Sequence, residues 1–246
     1  MKKTTSLAIL IPGLILSSLV YLVFYWYSDQ LTPLTREDGP IETVGALLFL
    51  VNSVLCFRIY SRVSKSDEYQ INKKLGTWVF FIFGVMFFFA FAEEISYGQR
   101  IIGFETPEEL KVLNNQDEFN IHNLEVFYEG GNKTALITPI RLFALFGLVY
   151  MVFLPLAVPR IKWIRDLVTE WSIPIPVSIL PGILFIYNLG FCKIVQTQLV
   201  VERNLIFRGM LEIAEAFLLV FLLMMFLEMY KNPYPKKSEV DLKPVS

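Results

Sequence analysis

Two adjacent carboxylates, Glu93 and Glu94, close an apolar run that extends from Leu75 to Ala92, and Ser96, Tyr97, Gln99 and Arg100 follow them directly. A carboxylate at the end of a membrane span is costly unless it is paired or hydrated, so its presence points to a site. Burial and like charge both raise a carboxylate pKa toward the range useful for general acid or base work. Read as one uninterrupted helix, Glu93, Ser96, Tyr97 and Arg100 fall at i, i+3, i+4 and i+7, which is one face. Glu94 lies about 100° round that helix from Glu93, so only one of the two shares a site with Arg100.

Three further groups could join them. His122 is the single histidine, set in Asn120-Ile121-His122-Asn123 after a run of amide side chains that begins at Asn114. Such a run can order a loop around buried hydrogen bonds. His122 itself can act as donor, acceptor or ligand near neutral pH. With Glu93 and Glu215 it forms a candidate ligand set for a divalent metal, without the H-E-x-x-H spacing of a zinc protease. Near the C-terminus, Asn204, Arg208, Glu212 and Glu215 fall on one helical face. Only twelve apolar residues run from Ala216 to Leu227, and a span needs about 20, so it must include both glutamates. Arg141 and Arg208 are the cations available to pair with them, or to hold a phosphate or carboxylate of a substrate. Glu37, Asp38 and Glu42 make a last acidic element, with Glu42 complementing a helix dipole. The candidate catalytic set is Glu93, Glu94, His122, Glu212 and Glu215. The candidate substrate contacts are Arg100, Arg141, Arg208, Asn123 and Glu42. The competing structural reading is helix-end charges in interfacial water, with ion pairs that hold a bundle together.

The elements that must position these groups are membrane spans. The 246 residues are 54% hydrophobic, 15% aromatic and 18% charged, with a mean hydropathy of +0.52. The apolar residues gather into six runs of spanning length, about Leu7–Tyr27, Ile41–Tyr60, Leu75–Ala92, Ile137–Val158, Ile173–Phe191 and Phe207–Tyr230. The first run is too long for a signal-peptide core and lacks a small-x-small cleavage site, so it reads as an uncleaved span. Pro174, Pro176 and Pro181 predict kinks in the fifth. Between the fourth and fifth, RIKWIRDLVTEW suits the membrane surface. Thr106 and Pro107 read as the cap and first residue of a short helix. Asn52 and Asn188 read as interhelical hydrogen-bonding groups. Cys56 and Cys192 fall near opposite membrane faces, which predicts no disulfide. No basic stripe with interleaved aromatics is present, which speaks against nucleic acid as a partner.

The expected architecture is an all-α polytopic membrane bundle of six transmembrane helices, capped by a partly helical extracytoplasmic loop over 101–136. A single transmembrane domain covers 1–230, and 231–246 form a disordered cytoplasmic tail. With this topology, 14 of the 22 Lys and Arg residues lie on the side of both termini. The positive-inside rule makes that side cytoplasmic, in a cell membrane.

The motifs A-E-E-I-S-Y-G-Q-R (Ala92 to Arg100) and N-I-H-N (Asn120 to Asn123), preceded by E-D-G (Glu37 to Gly39), resemble a family of bacterial multi-pass membrane proteins without an assigned activity. The resemblance covers residues 35 to 125 and implies no reaction. CAAX-type intramembrane proteases, with E-E-x-x-x-R and several histidines, do not fit: Arg100 is five residues after Glu94 and there is one His. Alkaline ceramidase-like hydrolases likewise need several His. The chemistry of the polar residues favours a membrane-embedded hydrolase or transferase, metal-assisted, acting on a lipid-linked or extracytoplasmic substrate beside the lipid bilayer. The alternatives are an ion-coupled transporter, or a non-catalytic assembly or sensor subunit. A transporter predicts midplane polar residues and repeated halves, of which the sequence has only Asn52, Asn188 and no repeat.

Overall fold

The computed structural model describes residues 3–36, 39–66, 76–114, 117–121, 123–127, 138–176, 178–199 and 205–233. Among them every named element is helical, and strand pairing is limited to an isolated bridge between Asn114 and Leu124. The long helices are α1 (Lys3–Trp26), α2 (Pro40–Lys65), α3 (Gly76–Glu94), α4 (Pro139–Leu148), α5 (Lys162–Glu170), α6 (Leu180–Gln198) and α7 (Leu205–Lys231). The chain is an all-α polytopic membrane bundle. Among the described residues, five helices are each long and apolar enough to cross a bilayer. The sixth expected span is α4, which runs on through a wider π turn at Val149–Phe153 into Leu154–Ala157. It then bends by 114° into α5, so the count is six only if that bent pair is one crossing. On α5, Ile164 and Val168 are buried while Trp163, Leu167 and Trp171 are exposed, as suits a helix lying along a membrane surface.

In the bundle α3 packs on α2, α2 on α7, α7 on α6 and α6 on α1, with α4 set against α6 and α7. No hydrophobic drive separates these helices from lipid, so close packing and polar contacts hold them. Gly84 lets the ring of Phe57 approach, and Ser53 Oγ donates to Gly84 O at 2.7 Å. Gly182 of α6 lies against the Met151 carbonyl in the π turn, where any side chain would strike backbone. Asn52 Nδ2 donates to Leu219 O on α7 at 3.2 Å, and Asn188 bridges Tyr21 Oη (3.0 Å) and Ser17 Oγ (3.3 Å) on α1. Both asparagines are therefore interhelical ties. Phe83, Phe87, Phe146 and Phe226 meet mainly edge-to-face at 5.3 to 6.2 Å through the middle of the core. Cys56 and Cys192 are buried and free.

Three expectations about local structure are overturned. The helix ending the third span does not continue to Arg100: α3 stops at Glu94, and Ser96, Tyr97 and Gly98 all take positive φ (46°, 53° and 76°) before a short helix at Gln99–Ile102. Gly98 makes such a reversal accessible, since glycine takes positive φ at no steric cost. Thr106 is not a helix cap; Pro107 holds that place before Glu108–Lys111, and Thr106 is buried as a hydrogen-bond acceptor. The prolines do not kink the fifth span. Ile173–Pro176 lies outside any helix, and α6 begins at Leu180 with Pro181 in its first turn, where a missing N–H costs nothing. The cap does contain short helical pieces, Gln99–Ile102, Glu108–Lys111 and Glu125–Phe127. The tail beyond Pro233 lies outside the described residues.

Candidate functional site

The reversal after α3 is the foundation of the cap. It turns the polar residues after Glu94 back across the helix end, and the loop folds onto them. Tyr97 Oη donates to Glu93 Oε1 at 2.5 Å, and the Ile121 N–H donates to Glu93 Oε2 at 2.7 Å. Ser96 Oγ donates to Glu118 Oε2 at 2.7 Å, while Asn120 Nδ2 donates to both that oxygen (2.8 Å) and Ser96 Oγ (3.1 Å). Asn114 Nδ2 reaches the carbonyl and the Oδ1 of Asn120, both at 2.9 Å. Gln99 is a second clamp: its Nε2 donates to Thr106 Oγ1 at 2.8 Å, and its Oε1 accepts from the Phe119 N–H at 2.9 Å. The Phe119 ring sits edge-on between Tyr97 (5.7 Å) and Phe104 (5.6 Å). Ser96, Thr106, Asn114, Asn120 and Asn123 are all buried. The amide run thus orders the loop around internal hydrogen bonds.

Non-glycine residues in the left-handed region cost on the order of 1–3 kcal/mol each and persist where the surroundings over-determine them. Ser96 and Tyr97 meet that condition through Glu118, Asn120 and Glu93. Tyr97 is a reporter of this state. Partial burial and the hydrogen bond to Glu93 push its phenol up from 10.0 to about 12. The raised pKa means docking of the cap is fully supported below pH 10 and loses this support as pH rises toward 12. Ultraviolet titration is expected to show Tyr97 as one late-ionising step near pH 12, identified by difference from a variant that lacks it, since the chain holds other, more deeply buried tyrosines such as Tyr21 and Tyr150. Tyr97→Phe removes that late step and the accompanying loosening of the cap; an unchanged titration would exclude the assignment.

The other predicted site residues belong to α2, α4 and α7, and their depth follows from register. Ser53 pairs with Gly84 and Asn52 with Leu219, so these positions share one level. At a rise of roughly 1.5 Å per residue, Glu215 lies about 6 Å toward the cap from that level, Glu212 about 10 Å, and Glu42, Glu93 and Glu94 about 14–15 Å. Phe143 packs on Phe49 (5.2 Å) and Phe87 (6.0 Å), which sets Arg141 about 8 Å up the same axis. Glu215 stands one turn from Leu218 and Leu219, which pack into the core, and both Glu212 and Glu215 are half-buried. Arg141 and Arg208 are exposed. Glu42, Glu93, Glu94, Asn123, Arg141, Arg208, Glu212 and Glu215 all have interaction partners, so none is a bare charge.

The structure therefore unites Glu93 with the loop on both sides of Asn120, and brings Glu42, Glu94, Arg141, Arg208, Glu212 and Glu215 to the same end of the bundle. His122, Glu37, Asp38 and Asn204, and the side chain of Arg100, lie outside the described residues, and so does the expected grouping of His122 with Glu93 and Glu215. Among the described residues no three His, Cys, Asp or Glu side chains are grouped to hold a metal. Sequence reasoning missed Glu118 and the clamp role of Gln99. Both act across twenty residues or more of chain, a pairing that no local period encodes. No protein-family model, curated protein or solved structure matches this chain.

Proposed function

We propose that this protein is a membrane-embedded hydrolase or transferase acting on a lipid or lipid-linked substrate at the extracytoplasmic face, beneath the cap. The observation that supports it best is the left-handed Ser96–Tyr97 turn, held by Glu93, Glu118 and Asn120. Strain of this kind, over-determined by buried polar contacts, gathers at sites that must be preorganised. A second support is the carboxylates carried inside the span of α7, where lipid alone would make them costly. In this reading Glu215, with Glu212, supplies the base; Arg141 and Arg208 orient an anionic headgroup; and the cap excludes water from one side. A carrier is less well supported, because Asn52 and Asn188 are spent on tying helices together.

The test is lipid turnover. Lipid extracts from cells with and without the protein, and from proteoliposomes of purified protein, are compared by mass spectrometry. A lipid class that changes only with the intact protein supports the reading; identical lipid profiles in both systems remove it. The proposed sidedness, with both termini cytoplasmic, has its own check. Single cysteines at Lys65 and Glu129 are expected to be labelled from opposite sides of the membrane in intact cells, and labelling of both from outside would reverse it.

A further inference from the structure

A cleft of about 430 Å³ opens between α1, α2, α7 and the turn formed by Ser28–Leu31 and Thr32–Thr35. Thirteen of its fourteen lining residues are apolar, the exception being Thr35. Phe24, Thr35 and Ile213 form a buried floor, while Val23, Leu34, Val44 and Val220 are exposed along its mouth. These exposed residues lie on spanning helices or at their ends, so the mouth faces lipid. From Ile41 to Leu48 the cleft follows α2 for about 10 Å along the bundle axis. Its cap end is lined by Thr35, Ile41 and Ile213, which neighbour Arg36, Glu42 and Glu212 in sequence.

We infer that this cleft seats one acyl chain of a membrane glycerophospholipid, with the ester region at the level of Glu212. This deepens the lipid-acting reading given above and rests on it for the claim that the seated lipid is the substrate. Apart from Thr35, whose hydroxyl donates to Thr32 O at 3.0 Å, the lining offers no hydrogen-bonding partner that a polar segment would need, and it suits hydrocarbon. Three stretches outside the described residues do not suit it: 234–246 is Lys- and Pro-rich and follows the far end of α7, and 37–38 and 200–204 are short and carry charge. Its volume is of the order of one fatty acyl chain, well below that of a long isoprenoid carrier. Arg36, exposed and next in sequence to the lining residue Thr35, is a cation that could meet the phosphodiester of such a lipid.

The experiment uses the full chain in vesicles of phosphatidylethanolamine and phosphatidylglycerol that carry a diazirine midway along one acyl chain. After irradiation, adducts are mapped by peptide mass spectrometry. They are expected to concentrate at Val23, Leu34, Val44 and Val220, relative to more exposed positions on spanning segments such as Ile82 and Leu142. Val44→Trp fills the mouth and is expected to lower cleft labelling several-fold without changing labelling at Ile82. Leu34→Trp, in the turn, repeats the test should the first variant fold poorly. Labelling spread evenly over all exposed positions, or unaffected by both variants, overturns the site. Disulfide cross-linking between two copies that carry Val44→Cys would assign the cleft to a second protomer and overturn it too. Concentrated labelling without any lipid turnover keeps the acyl site and rejects the enzyme; turnover without concentrated labelling does the reverse.

Discussion

Glu93→Ala is expected to release the cap while leaving the bundle intact. Hydrogen exchange of the amides from Leu113 to Glu125 should accelerate by roughly 30- to 150-fold, with α2, α6 and α7 unchanged. The carboxylate accepts from Tyr97 Oη and from the Ile121 amide, one oxygen each. A hydrogen bond to a charged group contributes about 1.5–3 kcal/mol, at the lower end where solvent competes. Glu93 is only half-buried, so the pair together supports the cap by roughly 2–3 kcal/mol, which corresponds to the stated range of rates. The left-handed turn adds to the effect, because Tyr97 loses the bond that holds it there. Glu93→Gln is the informative companion. It retains one carbonyl oxygen, so it should fall between wild type and alanine. Exchange in Glu93→Ala equal to wild type would mean that Ser96, Gln99 and Phe119 hold the cap without it.

The spans were legible because their signal is length and hydropathy, which a bilayer imposes on the residues themselves. Leu205–Lys231 could be placed from twelve apolar residues and two glutamates that had to come with them. Short-range chemistry was legible as well: Glu93 and Tyr97 meet as the i, i+4 spacing requires, although the helix that motivated the pairing has already ended. What failed was local punctuation. Gly98 was the available signal for the reversal, and the continuous polar pattern around it masked that signal. The Pro174 and Pro176 segment was read by hydropathy as span, whereas each proline lacks the donor that a helix needs. The clamps of Glu118 and Gln99, and the apolar cleft, arise from segments that meet only when the chain is folded. No period or spacing in one segment reports on a partner in another.

Glu215→Gln is expected to abolish lipid turnover, by at least about 100-fold, the lower limit of what a positioned base contributes. The folded protein should remain inserted, with the cap protected as in wild type. The substitution separates the functional reading of α7 from the structural one. A carboxylate held inside a span costs roughly 2.5 kcal/mol or more near the centre and less toward the interface. Glu215 is the deepest of the carboxylates placed by register, about 6 Å from the Asn52–Leu219 level, and it is half-buried with a partner. If its purpose were to tie the bundle together, removing the charge would strand that partner, at a cost of about 3–5 kcal/mol for a buried ion pair. The melting temperature would then fall by many degrees, and lost turnover would follow from lost fold. If its purpose is chemistry, the amide keeps the shape and most of the hydrogen-bonding capacity of the side chain, so the melting temperature changes little while turnover disappears. Thermal unfolding and turnover, measured on the same preparation, separate the two cases. Glu212→Gln provides the graded control. It lies about 4 Å nearer the cap by helical rise, where water shares its solvation, and its effect on both quantities is expected to be smaller than that of Glu215→Gln. Full turnover in Glu215→Gln would take that residue out of the site and leave the α7 carboxylates as structural charges.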